Sequence, residues 1–198
     1  MTTSESAPFL DLVARRYSCR AYDPARSVSD EALRECLEAA RLAPSACNRQ
    51  PWRFVAVRDA ERRRAICEGG LLPGIGHAWL ADAPVIVVLC VDIELVTHRL
   101  APALSGVQYH LVDAGIAGEH FVLAAAERGL GTCWIGWFKQ RAVRRIIEAP
   151  RRVRVVSLIA LGYPAAAPEP PFRAGRKDLG EIAFADEWGK AVRGRSGE

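Results

Sequence analysis

The sequence predicts an α/β or α+β fold, and three observations carry that reading. Amphipathic helical stretches alternate with short β-branched runs, only four such runs occur, and one of them, Ala83 to Val91, is apolar throughout. Half of the 198 residues are hydrophobic, enough to build a core and far from a disordered composition. No stretch reaches the ~18 uncharged apolar residues that a membrane span requires. The first eight residues carry no apolar signal region and read as a loose tail.

Taken in order, Leu10 to Arg16 reads as a short helix, and Ser29 to Leu42 as the clearest amphipathic one. Ser29 suits the N-cap, Asp30 and Glu31 suit the positive end of the helix dipole, and Val28 can staple onto Leu33. Leu33, Cys36, Leu37 and Ala40 share one face, and Pro44 stops the helix. Arg53 to Arg58 alternates as a strand does, Asp59 to Cys67 is helical up to Gly69-Gly70, and 71–76 is a loop. Pro84 to Val91 has the composition of a central strand buried on both faces.

Val107 to Arg128 is a long helix closed by Gly129. Thr132 to Phe138 and Arg154 to Leu161 are further strands, with a helix from Lys139 to Glu148 between them. Past Gly162-Tyr163-Pro164 an Ala/Pro-rich stretch reads as an extended arm. No internal repeat is present. The long helix carries Ala114, Gly115, Ala117, Gly118 and Ala124 to Ala126, which admit a second helix close by. Packing within the chain and a helix–helix dimer core explain these small residues equally well. His120, on the same helix, reads as a structural histidine.

The net charge of +4 is mild, and all but three of the 27 cations are arginine. Arg141, Arg144, Arg145, Arg151, Arg152 and Arg154 form the densest cluster. Without interleaved aromatics it offers single-stranded nucleic acid little to stack on, so neither a nucleic acid nor a membrane is an expected partner. The six cysteines are dispersed with no C-x-x-C pair, which argues against zinc and suits a reduced cytoplasmic setting.

Two segments carry chemistry. In Arg16-Tyr17-Ser18-Cys19-Arg20-Ala21-Tyr22, two guanidinium groups flanking a hydroxyl can converge on one anion, although two solvated arginines would read the same way. In Pro44-Ser45-Ala46-Cys47-Asn48-Arg49-Gln50-Pro51-Trp52, prolines fix the connection while Ser45, Asn48 and Gln50 offer donors and acceptors suited to a heterocycle edge. An ordinary helix-stop turn has the same composition. Further on, Gly129-Leu130-Gly131-Thr132-Cys133-Trp134-Ile135-Gly136 lets the backbone approach a flat ligand. It is not a dinucleotide fingerprint, since neither the glycine spacing nor a preceding strand is there.

R-x-S-x-R-x-[FY], a helix of about four turns, and P-S-A-x-N-x-Q-P-W leading into a strand together resemble the N-terminal pattern of the FMN-dependent nitroreductase family. The Gly129–Gly136 segment, Leu161-Gly162-Tyr163-Pro164 and Arg176-Lys177-Asp178-Leu179, with Glu181 and Ile182, resemble later family segments. The resemblance runs from about Arg16 to Trp188. It implies an α+β, three-layer, nitroreductase-like fold with a central mixed sheet flanked by helices, in an intertwined homodimer. Residues 9–190 would form a single FMN-binding domain, with 165–190 an extended C-terminal arm and 191–198 a disordered tail.

The resemblance also assigns roles. Arg16 and Ser18 would meet the FMN phosphate and Arg20 the pyrimidine edge, with Tyr17 in the same cofactor-binding segment. Pro44, Ser45, Asn48 and Gln50 would close the flavin site from the other subunit. Trp134, Ile135 and Gly136 would pass along the isoalloxazine, with Arg176 or Lys177 helping to neutralise the phosphate. NADH or NADPH would donate a hydride to flavin N5 in a ping-pong cycle, and a nitroaromatic, quinone or similar small acceptor would take the electrons. No side chain is required as acid, base or nucleophile. A specialised enzyme of the same fold, such as a dehalogenase or flavin-modifying enzyme, and a flavin-binding or basic interaction protein without turnover are the alternatives. Three positions depart from the family pattern: Tyr17, Cys19 and Trp137, the last standing where a second glycine is frequent.

Overall fold

The computed structural model describes residues 8–74, 78–92, 106–166, 175–190 and 192. Its helices are α1 (Pro8–Arg15), α2 (Asp30–Arg41), α3 (Ala60–Ala65), α4 (Tyr109–Glu127), α5 (Gln140–Ile146) and α6 (Leu179–Ile182). Its strands are β1 (Trp52–Val57), β2 (Val85–Asp92), β3 (Gly131–Ile135) and β4 (Val153–Gly162). Short 3-10 turns at Ala46–Asn48 and Ala78–Asp82, and a π-helical turn at Ile66–Gly70, join them.

The sheet order is β1-β2-β4-β3, and all three pairings are antiparallel. The expected mixed sheet is therefore corrected among the described strands: the parallel contribution is the isolated bridge between Ser18 and Thr132. Alternation along the strands separates two cores. Ile86, Val88, Cys90, Leu158 and Ala160 face Ile66 and Val143, whereas Val85, Val87, Ile159 and Leu161 face Phe121, Val122 and Ala125. The result is helix, sheet and helix, the three-layer α+β arrangement expected.

Local signals account for the element ends. Ser29 caps α2, its side chain accepting from the Ala32 N–H at 3.1 Å, and Val28 and Leu33 are buried in one cluster. Gly129 closes α4 at φ 70°, a conformation that suits glycine. Several of the small residues of α4 pack within the chain, whereas Gly115 is exposed. Ala114, Ala117, Gly118 and Ala125 are buried, with α2 packed alongside. His120 Nδ1 lies 3.3 Å from the Ala39 carbonyl, a structural role, and Arg128 pairs with Glu35.

Two elements differ from expectation. β3 ends at Ile135, because the next residues pair with residues 70–72 instead of continuing the sheet. The arm includes a helical turn, α6, held by a capping box between Asp178 and Glu181, so its described portion is not simply extended. Most of the loop at 95–106, and all of the terminal tails except Pro8 and Val192, lie outside the described residues. No described helix is long and apolar enough to cross a membrane.

Candidate functional site

Beyond α1 the chain runs extended beside β3. The Cys19 N–H donates to the Thr132 carbonyl at 2.8 Å, and the Asp23 N–H to Tyr163 at 2.9 Å. Extended backbone sends alternate side chains to opposite sides. Tyr17 and Cys19 accordingly pack on the core, where the Tyr22 hydroxyl donates to the Cys19 carbonyl at 2.9 Å. Arg16, Ser18 and Arg20 belong to the other set, which explains the spacing of R-x-S-x-R. The approach to β3 is close: a Cβ on Gly131 would sit 2.6 Å from Cys19 Cβ.

All three side chains act on the Cys133 thiol. Burial raises its pKa, opposed by the charge of Arg20, a Ser18 hydrogen bond and the charge of Arg16. Both guanidinium groups are loosely tied. Arg16 Nε is 4.0 Å from Glu119 Oε1, and Arg20 Nη1 donates to the Ser18 carbonyl at 3.4 Å. Long contacts of this kind leave most of a guanidinium's donor capacity for another anion. Burial also raises the pKa of Tyr17, with Cys19 adding to the effect, so Tyr17 stays neutral and supports the segment from inside.

The second segment forms a strained loop. Cys47, Asn48 and Gln50 have φ of 51°, 54° and 47°. Such non-glycine conformations cost ~1–3 kcal/mol each and persist only when the surroundings impose them. Here the Gln50 N–H donates to Ser45 Oγ at 2.9 Å, and Gln50 Nε2 donates to Asn48 Oδ1 at 2.9 Å. The Ala46 N–H donates to Asp113 Oδ1 at 3.0 Å. Asp113 is a buried carboxylate on α4, and the sequence assigned it no role. Pro44, Asn48 and Gln50 are exposed, and Ser45 is half-buried.

Trp134 turns its indole inward, over Gly118, where an added Cβ would lie 2.2 Å from the ring. Ile135 is buried, and Gly136 is exposed with nothing within 4 Å of an added Cβ. Past the end of β3, the main chain at Gly136 is therefore open to solvent. Arg176 and Lys177 are exposed on the arm, and among the described residues no hydrogen bond or ion pair joins them to Arg16, Ser18 or Arg20. No group of three or more potential metal ligands is found among the described residues.

The two segments lie at diagonally opposite corners of the sheet. Ser18 flanks β3 level with Val85, while Trp52 on the far edge strand is level with Val91. At ~4.8 Å between strands and ~3.4 Å per residue along them, the separation is roughly 28 Å. Arg16, Ser18 and Arg20 thus gather at one corner of the sheet, and the strand that follows the Pro44–Gln50 loop begins at the opposite corner.

The chain belongs to the nitroreductase family, whose profile matches residues 13–68 and 72–163. A Thermus thermophilus protein named NADH dehydrogenase is 34% identical over 187 residues, covering 80% of this chain and 88% of its own. The FMN reductase [NAD(P)H] of Bacillus subtilis is 33% identical over 150 residues, covering 70% of this chain and 59% of its own. Among solved structures, a nitroreductase family protein from Clostridium difficile is 30% identical, with a TM-score of 0.78 over 91% of this chain and 99% of that one.

Proposed function

We propose that this protein is an NAD(P)H-dependent FMN oxidoreductase acting on a small nitroaromatic, quinone or similar acceptor. The observation carrying this is the gathering of Arg16, Ser18 and Arg20 at one end of an edge strand, with both guanidinium groups loosely tied. That donor set fits FMN: two planar cations and a hydroxyl suit a phosphate and an electron-rich heterocycle edge. The open main chain at Gly136 suits a flat ring. Bound FMN would supply the redox chemistry, taking two electrons from NADH or NADPH and releasing them to the acceptor.

The chain's own groups bind and tune. Arg16 and Ser18 hold the phosphate, and Arg20 places positive charge beside the pyrimidine. The main chain at residues 134–136 lies along the ring system, and Arg176 or Lys177 adds charge at the phosphate. Asn48, Gln50, Ser45 and Pro44 close the site from a second copy of this chain, a reading supported by Trp52, where their loop joins the sheet, lying at the corner opposite Ser18. Exposed apolar side chains support that assembly: Leu179, Ile182 and Trp188 on the arm, and Tyr109 and Val112 on α4.

The test is direct. Purified protein should be yellow or take up FMN, bleach anaerobically with NADH or NADPH, and regain colour with a nitroaromatic or quinone. Sedimentation should give a dimer. A colourless protein that binds no FMN, or a monomer that holds it tightly, would overturn the reading.

A further inference from the structure

We propose that Trp137 is a specificity-determining residue, an indole wall beside Gly136 that fits flat one-ring acceptors and disfavours larger ones. The inference rests on the flavin site described above and assigns a role to a residue that departs from the family pattern. Trp137 does not fill the core. It is 49% exposed, whereas Trp52 is buried and Trp134 is wedged against Gly118.

Nor is it a loose surface residue. Its Nε1–H donates to the Pro73 carbonyl at 3.0 Å, and its own carbonyl accepts from the Leu72 N–H at 3.4 Å. Phe138 forms a bridge with Leu71, and the Lys139 N–H donates to Gly70 at 2.7 Å. Successive ties from Trp137 to Lys139 therefore clamp the end of β3 to residues 70–73. An exposed aromatic side chain ordinarily keeps its rotamer freedom, and here that freedom is given up without the return of full burial. A ring held in this way discriminates by shape, since it cannot swing aside for a larger ligand.

The chain turns directly from the open main chain of Gly136, along which the flavin ring lies, into this indole, so the indole stands at the edge of the flavin where an acceptor stacks. A steric wall of this kind separates ligands that differ by a ring by about tenfold or more.

The experiment compares the FMN-loaded wild type with Trp137→Ala and Trp137→Phe. Non-reducible probes of one ring (benzoate) and two rings (2-naphthoate) are titrated, and Kd is read from the perturbation of the visible spectrum. The ratio of naphthoate to benzoate Kd should fall about tenfold in W137A and by less in W137F, which keeps a ring but loses the bond to Pro73. The kcat/KM ratio for menadione over p-benzoquinone should rise in parallel. Should W137A fail to fold, Trp137→Val carries the same comparison. Unchanged ratios in a variant with full FMN content, or equal weakening of both probes, would overturn the proposal. A wild type that binds no FMN would instead remove the reading beneath it.

Discussion

The buried carboxylate of Asp113 accepts a hydrogen bond from the backbone N–H of Ala46, 67 residues earlier in the chain, at 3.0 Å. This bond fastens the loop with three left-handed non-glycine residues to the second turn of the long helix. Asp113→Ala leaves the Ala46 N–H without its acceptor, a loss of about 1–3 kcal/mol. The expected outcome is a lower urea midpoint and FMN retention weakened about tenfold. Asp113→Asn, which keeps an acceptor oxygen, should restore most of both. Wild-type FMN titration of D113A would show that the loop holds its shape without this bond.

Two glycines eight residues or fewer from Arg128 should behave in opposite ways. Gly131→Ala puts a methyl 2.6 Å from Cys19 Cβ and forces the Arg16–Arg20 segment off β3. Stability should fall by about 1–3 kcal/mol, as in other overpacked cores, and FMN binding should fall with it. Gly136→Ala meets open space, so thermal unfolding of the FMN-free protein should match the wild type. Its FMN affinity should nevertheless drop, because the methyl projects where the ring lies. Equal stability of the two variants would contradict this division.

Arg16→Ala and Arg20→Ala each remove a charged donor that is only loosely engaged. Hydrogen bonds to charged groups contribute about 1.5–3 kcal/mol, so Kd for FMN should rise about 10- to 100-fold. Fluorescence titration at two salt concentrations gives the check, and the wild type should show the steeper salt dependence.

Stability should decline in alkali for a reason readable from the core. Burial raises the Cys36 thiol to about 11 and the Cys90 thiol to about 12, both above the ordinary value of 9.0. A raised folded pKa means that the unfolded chain loses its protons first. The stabilisation is therefore complete below pH 9 and is lost as pH climbs through 11 and 12. Each such thiol contributes about 1.4 kcal/mol per pH unit across its window. Urea titrations of Cys36→Ala/Cys90→Ala between pH 8 and 11 should show a shallower decline than the wild type. Parallel curves would assign the alkaline loss elsewhere, with Tyr22, also raised by burial, the next group to test.

The parts legible in the sequence were those fixed locally. R-x-S-x-R could be read because extended backbone places alternate residues on one side, and the cap at Ser29 because its acceptor serves an amide three residues on. The β-branched run of β2 announces burial on both faces but not the direction of its neighbours; the mixed sheet was implied by the family resemblance, and the four described strands are antiparallel. Asp113 was illegible for the opposite reason, since its partner is remote. The end of β3 was misjudged because residues 137–139 bond with residues 70–73, a pairing that no local pattern records. Gly118 looked like a helix contact, yet what it accommodates is the Trp134 ring.

The diagonal placement of Ser18 and the Asn48 loop has a genetic corollary. In a dimer with shared sites, a chain lacking Arg16 and Arg20 is mated with one altered at Asn48 and Gln50. All four lesions then fall in one pocket, and the other pocket is intact. Two subunit types that are each inactive alone should therefore complement on mixing, approaching half of wild-type flavin occupancy in the heterodimer. Were each site built from a single chain, mixing would restore nothing.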